Sequence, residues 1–251
     1  MALNLDLHTH DRLREMRSGS PVAVAAAGTA ILGLTWAVRG RSSGVFGPSV
    51  WRGKPGRKAI SITFDDGPTP ATLSLLDILD RYRVRATFFQ VGGNVAAFPD
   101  ISREVVSRGH EIGNHSYTHP NFAFKSPAFV ANEFTRAQQL IVETTGVQPR
   151  FLRAPYGVRW FGFRAVQRRL GLLGVTWSVI GLDWKHPADR IAERVITGAR
   201  DGGIICLHDG RGNLKDPDVE PTLEAVRRIL PDLVKKGYHF ETVTQLLCPM
   251  K

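Results

Sequence analysis

The stretch Ala59, Ile60, Ser61, Ile62, Thr63, Phe64, Asp65, Asp66, Gly67, Pro68 decides how the rest of the chain is read. Ile60, Ile62 and Phe64 alternate with Ser61 and Thr63, the period of a half-buried strand. Two acids follow at once, and a Gly-Pro turn stops the strand. Neighbouring side chains on an extended backbone point opposite ways, but at a strand's exit the turn can bring both carboxylates to one pocket. Two carboxylates that close stay ionised only beside a cation, either a metal or an arginine. Taken alone, the motif reads more readily as a solvated turn.

Outward from this strand the pattern is regular. A helix is predicted from Thr69 and Pro70, with Leu75, Leu76, Leu79 and Tyr82 on one face. Further strands are predicted at 85–91, 111–114, 150–153, 174–180, 203–208 and 238–242. Helical periodicities lie between them, such as Phe134/Ala137/Leu140/Ile141 closed by Gly146 and Leu223/Val226/Leu230/Leu233 closed by Gly237. Strands alternating with helices over residues 58–251 read as a parallel α/β arrangement, and the length suits a small barrel.

Residues 1–57 read differently. Pro21 to Val38 carries no charge and is flanked by Arg12, Arg14 and Arg17 before it and Arg39 and Arg41 after it. This predicts a hydrophobic helix that anchors the chain to a membrane or serves as a signal segment. Residues 40–57 have the small, polar composition of a linker, so the catalytic domain is expected to begin at 58. The formal net charge of +10 is concentrated in this leader: residues 1–58 hold 9 Lys+Arg against 3 Asp+Glu. With the body nearly balanced and no recognisable nucleic-acid module, no nucleic-acid partner is expected. Nor is an obligate protein partner indicated. Two cysteines, Cys206 and Cys248, are too few for a disulfide framework or a four-cysteine zinc site.

Four more constellations stand at or after predicted strand ends. His115-Ser116-Tyr117-Thr118-His119 would stack two imidazoles on one face if the stretch is helical, and with Asp65 or Asp66 would form an open zinc site. Arg153-Ala154-Pro155-Tyr156-Gly157 offers a cation for a carboxylate and turn amides for an oxyanion. Asp183 and Trp184 follow the strand ending at Ile180, and an apolar strand ends in Leu207, His208 and Asp209. A carboxylate such as Asp183 beside His208 would raise its pKa and fix its tautomer, as a general acid requires. Parallel α/β barrels assemble their active sites on this face. Cys206 shares the strand parity of His208 and reads as a small interior residue.

In this order the residues resemble the polysaccharide deacetylases of the NodB-homology type, carbohydrate esterase family 4. The resemblance covers about residues 58–248, including Ala86 to Phe89 and Gly109 to His115. It implies a distorted (β/α)7 barrel, here preceded by the N-terminal hydrophobic helix, and a hydrolase with one divalent metal ion, usually Zn2+, that removes N-acetyl groups from glycans containing N-acetylglucosamine. It implies Asp66, His115 and His119 as metal ligands, Asp65 as general base partnered by Arg153, the Tyr156 amide at the oxyanion, and His208 as general acid oriented by Asp183. Tyr156, Trp160, Trp184 and Leu207 are expected to touch the sugar. The substrate is expected to be peptidoglycan or a chitin-like oligosaccharide. The alternatives are a lipid-linked amino sugar or a non-catalytic, metal-containing glycan-binding role. The expected location is the cell membrane or envelope, with the catalytic domain outside the cytoplasm. Two positions depart from the family pattern: Ala154 replaces a common proline, and Ile180 stands where a second acid is frequent.

Overall fold

The computed structural model describes residues 21–248. The flanking Arg12, Arg14 and Arg17 of the leader lie outside the described residues. Nine strands form one sheet: β1 (Ser49–Val50), β2 (Ala59–Asp65), β3 (Thr87–Gln90), β4 (Glu111–Asn114), β5 (Phe151–Leu152), β6 (Leu173–Val175), β7 (Val179–Ile180), β8 (Ile204–His208) and β9 (His239–Phe240). Their order is β1-β6-β5-β4-β3-β2-β8-β7, with β9 paired to β2, and every pairing between these strands is parallel.

The nine α-helices among the described residues are α1 (Pro21–Arg39), α2 (Pro70–Arg81), α3 (Gly92–Ala97), α4 (Pro99–Ser107), α5 (Pro127–Thr145), α6 (Phe163–Leu170), α7 (Ala188–Gly198), α8 (Glu220–Lys235) and α9 (Val243–Leu247). Strand alternation sorts the side chains. Ile60, Ile62, Phe64, Ile205 and Leu207 join the buried cluster that includes Leu75, Leu79, Ile191, Val226 and Leu230 of the outer helices. The opposite parity, Thr63, Asp65, Cys206 and His208, faces the barrel interior, where Thr63 Oγ1 donates to the Ile205 carbonyl at 2.7 Å. This is a distorted, curled α/β barrel.

Two expectations change. The strand expected over 174–180 is two strands, because its ends belong to opposite edges of the sheet: β6 pairs with β5 and β1, whereas β7 pairs with β8. Thr176 to Ser178 carry the chain across the gap between those edges. Thr176 N–H donates to the Val50 carbonyl at 2.8 Å and Ser178 N–H to the Ile204 carbonyl at 2.8 Å.

The stretch 40–57, linker-like in composition, packs on the barrel. β1 pairs with β6, and the buried Arg159 donates to the Ser43 carbonyl and Ser49 Oγ, both at 2.6 Å, and to the Gly40 carbonyl. Small residues leave these carbonyls open, and a buried guanidinium needs such acceptors. The hydrophobic stretch is helical as expected. Val38 is buried, while Ile31, Leu32, Leu34 and Trp36 are exposed. Among the described residues no helix is long and apolar enough to cross a membrane.

Candidate active site

The register of β2 against β8 pairs Asp65 with His208 at the carboxyl ends of both strands. Parallel partners point to the same side, so the two side chains enter one cleft. Arg153, just beyond β5, meets them from below. It is fully buried and its Nη1 donates to Asp65 Oδ1 at 2.6 Å and to Thr63 Oγ1 at 2.8 Å. Its remaining donors reach the Val175 and Thr176 carbonyls at 3.3 and 3.2 Å, and its plane lies 4.0 Å from the Phe89 ring centroid. A buried ion pair is tolerated when its other hydrogen bonds are met in this way. Asp65 Oδ2 stays toward the cleft and accepts a long contact of 3.5 Å from the Cys206 thiol. Burial, and then the charge of Asp65, pushes that thiol well above its usual pKa, so it remains an S–H donor and a poor metal ligand.

Asp66 has φ +76°, which turns its carboxylate away from the barrel interior and toward His115 and His119. Asp66 Oδ1 lies 3.3 Å from His115 Nε2 and 3.0 Å from His119 Nε2. His115 Nδ1 is 2.8 Å from the Arg153 carbonyl, so it carries the proton and Nε2 presents a lone pair. Asp66 Oδ1 is buried with no hydrogen-bond partner. Burial alone would raise the Asp66 pKa, but the adjacent His115 and His119 imidazoles and the charge of His208 hold it well below the usual carboxylate range. An orphaned anionic oxygen between two imidazole nitrogens, with all three ligand atoms within 4.8 Å of one another, is a donor set that fits a divalent ion such as zinc.

The His-x-x-x-His segment is not a helix, which corrects the helical expectation. Ser116 and His119 take φ +65° and +55° in a loop. That conformation is imposed from α5. The buried Glu133 accepts from Tyr117 N–H at 3.0 Å, Thr118 N–H at 2.8 Å and Thr118 Oγ1 at 3.0 Å. Asn114 donates to the Phe134 carbonyl and Gln138 Oε1, and its own oxygen accepts from Ser116 N–H.

Opposite this donor set, Asp183 Oδ1 meets His208 Nδ1 at 2.8 Å. Its Oδ2 accepts from His208 N–H and Thr222 Oγ1, both at 2.8 Å. Burial would depress the His208 pKa, but the Asp183 carboxylate, with Asp66 and Asp65 behind it, raises it to about 9. The imidazole is thus cationic at neutral pH, with Nε2 free toward the cleft. Tyr156, at φ +58°, sets its ring 4.8 Å from that of His119.

The cleft, about 700 Å³, is walled by Tyr156, Trp177, Leu182 and Trp184, with Arg211 and Asn213 at its rim. Sequence reasoning missed Trp177, Arg211 and Asn213, although Trp177 sits in the irregular crossing between two strand-like runs, a place where side chains can reach inward. Two expected sugar contacts are corrected. Leu207 is fully buried on the helix-facing side of β8, one position out of phase with His208. Trp160 packs on Phe46 at 5.4 Å and on Phe124 at 5.0 Å and is absent from the cleft wall. Asp209 follows His208 inside the fold. Its Oδ2 accepts from Thr72 Oγ1 at 2.6 Å, its carbonyl from Thr69 Oγ1 at 2.7 Å, and burial pushes its pKa up to about 7.

Fold and site together define a curled parallel α/β barrel whose carboxyl-terminal face gathers two imidazoles and a carboxylate that fit a divalent ion, beside Asp65 and the Asp183-paired His208. The family model for polysaccharide deacetylase matches residues 52–175. The chain is 37% identical over 200 residues to the chitooligosaccharide deacetylase of Bradyrhizobium sp. (strain ANU 289), covering 76% of this chain and 91% of that one. It is 34% identical over 191 residues to the peptidoglycan-N-acetylglucosamine deacetylase PgdA of Listeria monocytogenes, covering 75% of this chain but only 39% of that longer protein. The crystal structure of the Bc1960 peptidoglycan N-acetylglucosamine deacetylase superposes with a TM-score of 0.75 at 30% identity, over 81% of this chain and 94% of that one. The chain belongs to the polysaccharide deacetylase family, carbohydrate esterase family 4, and its enzyme class is that of a polysaccharide N-deacetylase.

Proposed function

We propose that the protein is a zinc-dependent hydrolase that removes N-acetyl groups from N-acetylglucosamine units of peptidoglycan or a chitin-like oligosaccharide. The observation that carries this reading is the pairing of an orphaned Asp66 oxygen, between His115 and His119, with a base and an acid on the facing strand ends. A divalent ion would be held by Asp66, His115 and His119 and would supply a Lewis acid for the acetamide carbonyl and a lowered pKa for a nearby water.

Asp65, fixed by Arg153 through one oxygen, accepts the water's proton on the other. The Tyr156 amide donates to the carbonyl oxygen as negative charge gathers on it. His208, cationic and oriented by Asp183, protonates the departing nitrogen, because an amine leaves far more readily than an amide anion. Tyr156, Trp177 and Trp184 supply flat faces for the sugar ring. The chitooligosaccharide and peptidoglycan deacetylases among the relatives support an N-acetylglucosamine substrate for this cleft.

The exposed apolar side of α1 supports a second part of the proposal, contact with the cell membrane or envelope with the catalytic domain outside the cytoplasm. The activity is tested by measuring acetate release from chitooligosaccharides, peptidoglycan and lipid-linked amino sugars with zinc-loaded protein. Release from one or more of these, abolished by a chelator and restored by zinc, is expected. No release from any would overturn the proposal.

A further inference from the structure

A second cavity, of about 810 Å³, adjoins the cleft and shares Arg39, Gly157, Trp177 and Ile180 with it. Three arginines line it, Arg39, Arg41 and Arg194, and no carboxylate does. Each guanidinium is tethered to the wall through a backbone carbonyl: Arg39 Nη2 to Tyr156 at 3.2 Å, Arg41 Nη1 to Ser178 at 2.6 Å and Arg194 Nε to Ile180 at 2.7 Å. Glu193, the acid nearest in sequence to Arg194, is paired with Arg190 at 2.9 Å.

A guanidinium has five N–H groups, so each tether orients the cation and leaves donors to spare. Three such cations around one cavity lined by no carboxylate give it a positive potential that favours an anion. A planar fork of donors matches the oxygens of a phosphate, and a doubly charged group balances more of the excess than a carboxylate does. Trp36 and Trp177 add apolar walls. Arg39 joins the two chambers, since its hydrogen bond to Tyr156 places it one residue contact from His119.

We propose that this cavity binds a phosphate carried by the amino-sugar substrate, so that the acetamide lies over His115 and His119 while the phosphate is held by Arg39, Arg41 and Arg194. The assignment rests on the deacetylase reading and adds phosphorylated amino sugars, soluble or lipid-linked, to the substrates that reading covers. Arg39 and Arg41 lie before residue 52, where the family model begins, so two of the three cations lie outside the matched region on its N-terminal side. The phosphate could come from a soluble sugar phosphate or a lipid carrier. The apolar residues of α1 leading into Trp36 would lie beside the lipid in the second case.

The test is calorimetric titration of the full chain with N-acetylglucosamine, N-acetylglucosamine 1-phosphate and N-acetylmuramic acid. The phosphate ester is expected to bind about tenfold or more tighter than the other two. The double variant Arg41→Gln/Arg194→Gln should lose that preference with its thermal midpoint moved by no more than about 3 °C. If the double variant does not fold, Arg194→Gln alone, on the exposed face of α7, should lose part of the preference. Flotation with phosphatidylcholine vesicles carrying polyprenyl-phosphate N-acetylglucosamine, and not with plain vesicles, assigns the phosphate to a lipid carrier. Preference for the soluble ester without flotation assigns it to a sugar phosphate.

Equal affinity for the neutral sugar, equal affinity for the carboxylate sugar, or a preference that survives the substitutions overturns the site. Acetate release assayed in parallel separates the two claims. An intact phosphate preference with no release from any substrate sinks the deacetylase reading, and release without the preference sinks the anion site.

Discussion

His208 is held by Asp183 on one nitrogen and open to the cleft on the other, so the proposed mechanism assigns it proton donation and leaves metal binding to Asp66, His115 and His119. His208→Ala is therefore expected to keep its metal while kcat falls by ~10²–10⁴, with KM little changed. Metal analysis beside steady-state kinetics checks both halves. The acid must be protonated to act, so activity should decline as pH rises through about 9, the raised value for His208. Asp183→Asn should move that alkaline limb to lower pH, because the imidazolium loses its carboxylate partner. Stability follows the same sign: the His208–Asp183 contribution is complete below about 6.5 and is lost as pH rises through about 9. At this scale much was legible. The alternation of β2 and β8 places Asp65 and His208 on one face from sequence alone. The same alternation, applied strictly, would have sent Leu207 to the helix layer, and carrying a family contact onto it ignored that parity. Trp160 turns from the cleft for another reason: its partner Phe46 lies in a stretch whose composition is that of a linker.

The loop from His115 to His119 shows what an element can hide. Spacing of i and i+4 is the same in a helix and in this loop, and the carboxylate that selects the loop, Glu133, lies on α5. Nothing near His115 in the sequence announces it. Glu133→Ala should leave the Tyr117 and Thr118 amides without their acceptor and cost about 1–3 kcal/mol. Because those amides set the path between the two imidazoles, zinc affinity should fall by ~10-fold or more as well. Thermal unfolding and zinc titration of the variant measure the two effects, and unchanged zinc affinity would remove Glu133 from the support of the site. Close packing acts on the other ligand. A Cβ at Gly210 would overlap the Asp66 carbonyl, a backbone group that cannot rotate away. Gly210→Ala should therefore lower stability and zinc affinity together, read by the same two measurements.

Across the whole molecule, composition divided the chain into leader and domain, whereas packing gives residues 40–57 to the barrel. Linker composition and an acceptor-rich strap look alike in sequence, since both are small and polar, and the distinguishing partner, Arg159, is remote. Among the described residues, the exposed apolar side of α1 remains outside the packed body. Ile31→Ser with Leu32→Ser is expected to release the full-length chain from membranes in cell fractionation without changing its folded midpoint. A wild-type chain already soluble would remove the membrane contact from the account. The central claim is that Asp66, His115 and His119 hold the ion that makes the cleft a deacetylase. Zinc content and acetate release, measured together on wild type, Asp66→Ala and His115→Ala, test it most directly. The account predicts one zinc per wild-type chain with acetate released, and neither bound zinc nor acetate in the two variants. Full zinc occupancy in either variant would contradict it.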